Sequence, residues 1–136
     1  MTAEDGVARV RRPSWRRLET VAVVLVALHS YAVGAVLLFL TEWSLRFAGW
    51  GVLDSLFFAR QSGAFHFVVA TAYLVEYART RGITVLITAK TVAVVFLLAL
   101  SPWETAWAIK FSGVADGLML VGMIFLHIKA RGETAS

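Results

Sequence analysis

Four long apolar stretches, each bounded by charged or turn-forming residues, organise this chain. The first reads "TVAVVLVALHSYAVGAVLLFL" over residues 20–40. At about 1.5 Å per residue a helix of that length crosses the roughly 30 Å of bilayer hydrocarbon. The second has a clean part from Gly63 to Ala78 that is short for a crossing. Extending it back to about residue 55 supplies the length and brings Arg60 inside its outer turns. The third covers about 83–100 and stops at "SPWE", where Pro102 ends a helix and Trp103 suits the headgroup level. The fourth covers about 106–128 and leads into the basic tail "KARGETAS". Between the first two runs, "TEWSLRFAGWGVLDS" carries Trp43, Trp50 and glycines, and suits an outer interface with a short surface helix.

The pattern predicts an all-α, integral membrane four-helix bundle. A basic N-terminal segment (1–17) precedes a four-span domain (18–130, spans about 20–40, 55–78, 83–100 and 106–128), and a short tail (131–136) follows. Met1 to Pro13 are polar and expected to be poorly ordered. The twin arginines that follow raise a Tat-type signal, but the next apolar run is too long for a signal h-region and lacks an A-x-A site. A retained span is expected. Lys and Arg set the orientation. Arg9, Arg11, Arg12, Arg16, Arg17, Arg79, Arg81, Lys129 and Arg131 fall on one side, and Arg46, Arg60 and Lys110 on the other. That places both termini in the cytoplasm. The location predicted is a bacterial plasma membrane, crossed several times.

Composition agrees and narrows the chemistry. Of 136 residues, 59% are hydrophobic and 16% charged, more apolar surface than a soluble domain of this size can hide. The absence of cysteine excludes disulfides, thiolate catalysis and thiolate-ligated metals. The net charge of +4 sits beside the apolar runs, so it points to the lipid surface rather than to nucleic acid. Around Trp15, the arginines read as a headgroup anchor or, more sharply, as a patch for anionic lipid.

Polar residues inside the spans carry the functional question, because lipid cannot satisfy them. Helical rise places Lys90 about 10 Å and His29 about 13 Å from the cytoplasmic end. His66 and Asp116 lie about 18 Å in, near the midplane. Glu76 falls near the cytoplasmic surface and Arg60 near the outer one. On span 2, Ser62, His66, Tyr73 and Glu76 share a stripe of roughly 80°. On span 4, Ser112, Gly113, Asp116 and Met123 share a face. Lys90 is surrounded by apolar neighbours on its own helix and must reach another. The expectation is an interior cluster in which Lys90 pairs with Asp116 or Glu76 while His66 and Tyr73 line the same space. Such a pair can hold helices in register, or its surroundings can bind a ligand or move a proton. Glu76 has a further reading as an i,i+3 surface pair with Arg79. His29 and His66 are the only histidine pair suited to haem, and they lack a set of small residues for a porphyrin, so no cofactor is expected. No third and fourth ligand at one level points to a metal, and His127 is read as interfacial. Gly113-x-x-x-Gly117 and Ser30-x-x-x-Gly34 mark close helix packing.

The strings "ARQSGAFHFVVATAYL", "TAKTVAVVFLL" and "SGVADGLMLV" resemble the DoxX-like group of small four-span bacterial membrane proteins. That group tends to have an arginine-x-x-glycine start to span 2, an intramembrane lysine, and a glycine-aspartate motif in the last span. The match falls on Arg60, Gly63, Lys90, Asp116 and Gly117, over roughly the last 80 residues, with His29 in addition. The resemblance implies a four-helix bundle in the plasma membrane, and roles that range from redox-linked complexes to assembly factors. Three function classes follow. The first is an accessory component that binds a partner helix, a second copy or a lipid-like molecule. The second is an enzyme on a quinone or isoprenoid with Asp116 or Glu76 as acid–base. The third is a proton-coupled exporter, disfavoured because span 1 carries only His29.

Overall fold

The computed structural model describes residues 14–51, 54–102 and 106–135, with side chains described to residue 133. The expectations for Met1 to Pro13 and for the Trp103 anchor lie outside these residues. The described residues form five α-helices: α1 (Trp15–Phe39), α2 (Thr41–Phe47), α3 (Phe57–Thr80), α4 (Thr84–Val94) and α5 (Trp107–Ala135). A π-helical segment, Val95–Leu100, continues α4. The four long helices lie under the four apolar runs, and α2 is the short helix of the linker.

Local chemistry explains the boundaries. Ser14 is extended and its Oγ accepts the Arg17 N–H at 3.4 Å, satisfying one of the donors left open at a helix start. The α1–α2 break falls at Leu40, and Thr41 Oγ1 donates back to the Leu37 carbonyl at 2.7 Å. At the end of α3, Arg81 takes the left-handed conformation (φ 55°) that usually falls to glycine. Gly82 stays open for another reason: a Cβ there would lie 3.0 Å from Glu76 Oε1.

That carboxylate starts the next helix. Glu76 accepts the backbone N–H groups of Thr84 (3.0 Å) and Val85 (2.8 Å), a charged cap supplied from α3 to the first turn of α4. Glu76→Ala is expected to cost about 1 kcal/mol and to speed amide exchange at Thr84 and Val85. Unchanged exchange at both amides would show that the cap contributes nothing. The far end of α4 is held differently. Lys110 Nζ donates to the carbonyls of Ser101 (2.7 Å), Leu97 (3.2 Å) and Leu98 (3.4 Å), the acceptors left over where the π-helical segment stops.

α1 packs most closely on α3 and then α5, and α4 packs on α5 and α3. The core is Val23, Val26, Tyr73, Tyr77, Ile83, Leu86 and Met123. Large apolar side chains instead cover the outside, among them Leu25, Leu28, Phe65, Val68, Leu118 and Val121. Among the described residues two helices, α1 and α5, are long and apolar enough to cross a membrane. α3 is as long as α1 to within one residue but carries Arg60, Glu76 and Arg79, and α4 with its extension is shorter, Thr84–Leu100. At one end of the bundle Trp107 Nε1 donates to the Phe47 carbonyl at 3.2 Å, and Trp43, Phe47, Trp107 and Phe111 stack edge and face into an aromatic cluster.

Candidate functional site

Lys90 projects from the middle of α4 and Asp116 from α5, and the two meet. Nζ lies 2.5 Å from Oδ1, with Lys90 4% and Asp116 9% exposed. The site follows from the surrounding small residues. Gly113, one turn before Asp116, has Leu98 and Leu97 seated where its side chain would be, and this brings the π-helical extension of α4 against α5. Gly117 is looser, since a Cβ there would meet only Val94 at an ordinary 3.8 Å. The backbone-to-backbone approach occurs elsewhere, between Gly34 of α1 and Gly63 of α3. A Cβ on Gly63 would lie 2.8 Å from the Gly34 carbonyl oxygen, and one on Gly34 would lie 2.9 Å from that of Gly63.

Beside the ion pair is a cavity of about 170 Å³. Its polar wall consists of Ser30 from α1, Ser62, His66 and Tyr73 from α3, Lys90 from α4 and Asp116 from α5. Ser30, 1% exposed, is the polar member that the Ser30-x-x-x-Gly34 pattern contributes. His66 and Tyr73 thus share one space with the pair, as their common stripe on α3 predicts. Among the described residues every buried side-chain nitrogen and oxygen has a hydrogen-bond partner.

The other candidates fall outside this cavity. Of the two acids offered to Lys90, Asp116 takes it. Glu76 caps α4, and neither Lys90 nor Arg79 is its partner in an ion pair among the described residues. His29 is exposed on α1 and is absent from the cavity wall, so the histidines of α1 and α3 do not face each other across it. Arg60, in the first turn of α3, reaches Thr41 Oγ1 at 3.4 Å and ties α3 to the α1–α2 corner. Gly63 packs α3 on α1, whereas Gly113 and Gly117 face side chains of α4 and its extension. Among the described residues no group of three or more His, Asp or Glu is placed to hold a metal ion.

A second polar constellation was not legible as one. Glu19, 5% exposed, accepts from His127 Nδ1 at 2.5 Å and from the Tyr77 hydroxyl at 3.2 Å, and Tyr77 also meets Thr20 Oγ1 at 3.0 Å. Read linearly, Glu19 belongs to an arginine-rich anchor and His127 to an interface. The available signal was depth: Glu19 near the start of α1, and Tyr77 and His127 near the ends of α3 and α5, each lie within about two turns of the same end of the bundle. No protein-family model, curated protein or solved structure matches the chain.

Proposed function

We propose that this chain is a non-enzymatic, multi-pass component of a bacterial plasma membrane, of the DoxX-like kind, whose four long helices span the bilayer with both termini in the cytoplasm. It serves as an accessory subunit that presents its apolar flanks to a partner helix or a second copy. The observation that carries this reading is the Lys90–Asp116 pair. Two charges are buried at 2.5 Å from one another, with polar neighbours and a cavity of only about 170 Å³ beside them. Pockets that take a small molecule usually start at about 300 Å³. A buried charge pair of this kind ties α4 to α5 and sets their register. The outward-facing apolar side chains support a lipid surround. The gathering of Arg16, Arg17, Arg81 and Arg131 at one end of the bundle supports the orientation.

A second reading has one specific observation behind it: Asp116, His66 and Tyr73 line one cavity. It makes the protein an enzyme on a lipid-soluble quinone or isoprenoid, with Asp116 as acid–base, since Glu76 is committed to α4. A proton-coupled exporter would need that cavity to open to both sides.

One preparation tests the assignment. The chain contains no cysteine, so single cysteines need no background removed. Glu42→Cys is expected to react with an impermeant maleimide from outside intact cells, and Thr80→Cys and Gly132→Cys only after lysis. Labelling of Thr80→Cys from outside would reverse or break the topology. In detergent, a quinone and isoprenoid panel is expected to leave the melting temperature unchanged. A ligand-induced rise that Asp116→Asn abolishes without lowering stability would replace the accessory reading with the enzyme.

A further inference from the structure

A second cavity, larger than the one beside the ion pair, lies at the end of the bundle where α1 begins and α3 and α5 finish. It encloses about 660 Å³. Four arginines line it, Arg16 and Arg17 from α1, Arg81 from α3 and Arg131 from α5, against a single acid on its wall, Glu19. That acid is already engaged by His127 and Tyr77. Neither Arg17 nor Arg131 forms a salt bridge among the described residues. Arg81 is aimed rather than neutralised: it donates to Thr20 Oγ1 at 3.3 Å and its guanidinium lies 5.0 Å from the centre of the Tyr77 ring. Glu133, which does not line the cavity, accepts the backbone N–H of Arg16 at 3.3 Å.

From this basin we propose that the protein binds the phosphate of an anionic phospholipid, with Arg17, Arg81 and Arg131 converging on the phosphate oxygens. Guanidinium forks on three separate helices suit a group that offers several acceptor oxygens at once. The buried Glu19–His127–Tyr77 network forms the floor that sets α1, α3 and α5 in position. An amphiphile fits better than a free anion because the basin continues into apolar surface. Val21 lines it, and Leu18, Val21, Leu25 and Leu28 form one exposed stripe of α1 leading away from it, a track for an acyl chain. The lipid source rests on the membrane reading above; the phosphate chemistry of the basin does not.

The test is native mass spectrometry of the full chain titrated with phosphatidylglycerol, phosphatidylcholine and inorganic phosphate. Wild type is expected to retain phosphatidylglycerol in preference to phosphatidylcholine, and to take inorganic phosphate weakly. Arg17→Gln/Arg131→Gln is expected to weaken phosphatidylglycerol binding about 30-fold, taking each cation at its ordinary worth beside an anionic lipid. Arg79→Gln/Lys129→Gln removes the same charge from the same end without touching the basin wall, and is expected to bind as wild type does. Equal losses in the two variants would reduce the effect to diffuse charge and overturn the site. Inorganic phosphate binding as tightly as the lipid would overturn the lipid assignment. If maleimide labelling contradicted the spanning topology while phosphate binding still fell only in the basin variant, the membrane reading would fail and the anion site would stand. Melting temperatures of all variants, expected within a few degrees of wild type, separate lost binding from lost fold.

Discussion

Lys90→Met and Asp116→Asn are each expected to lower the stability of the purified protein sharply, and the double variant to recover most of the loss. Removing one partner leaves the other charge buried beside Ser30, Ser62, His66 and Tyr73 without its counter-ion. Breaking a buried pair in this way costs about 3–5 kcal/mol. With both charges gone the penalty disappears, and what is left is the lost attraction and imperfect filling, about 1–2 kcal/mol. Thermal unfolding in one detergent, across the four proteins, measures the coupling directly. Single losses that simply add in the double variant would mean that the two residues act independently. The pair would then have no part in registering α4 against α5. The same series separates structure from chemistry, because a carboxylate kept for proton transfer should be removable with little loss of stability.

The second large effect is expected at Gly63. Gly63→Val has to separate α1 from α3, because a Cβ there would sit 2.8 Å from the Gly34 carbonyl oxygen and 3.0 Å from the Leu38 nitrogen. Both atoms are backbone, so neither can rotate away, and α1 with α3 is the most extensive helix contact in the bundle. A loss of about 3 kcal/mol or more is expected, from overpacking together with the contacts surrendered as the helices part. Gly117→Ala makes the control: its Cβ would meet only Val94 at 3.8 Å, so a change within about 0.5 kcal/mol is expected. Thermal midpoints of the two variants check both statements. Equal effects at the two sites would show that the Gly34–Gly63 approach is not what holds α1 to α3.

Sequence and structure divide in a regular way. The α3 boundary shows how far composition reaches: the helix starts at Phe57 with Arg60 in its first turn, close to the extended start near residue 55 that the apolar run allows. The small-residue patterns show where it stops. Gly113-x-x-x-Gly117 and Ser30-x-x-x-Gly34 look alike on paper, yet only the second brings two backbones together, because its partner glycine lies on another helix at Gly63. A pattern on one helix cannot report what faces it.

The charged residues divide along the same line. Helical rise and the 100° step give each residue a depth and a face on its own axis, and these sufficed to group His66, Tyr73 and Asp116 with Lys90. Neither quantity fixes how one helix is rotated or shifted against the next. Two acids on two helices were therefore both open to Lys90. Packing decided it: the close approach of the π-helical extension of α4 to α5 at Gly113 delivers Asp116, while the short α3–α4 connection holds Glu76 to the first turn of α4. The basin required more still, since Glu19, Tyr77 and His127 come from three helices and are separated by 58 and 108 positions from Glu19 to the other two. The sequence by itself determined the helical layout, the apolar exterior and which polar groups had to be sheltered, because each depends on a residue and its near neighbours. Only the tertiary structure decided who pairs with whom, because that depends on the relative placement of helices, which non-local packing sets.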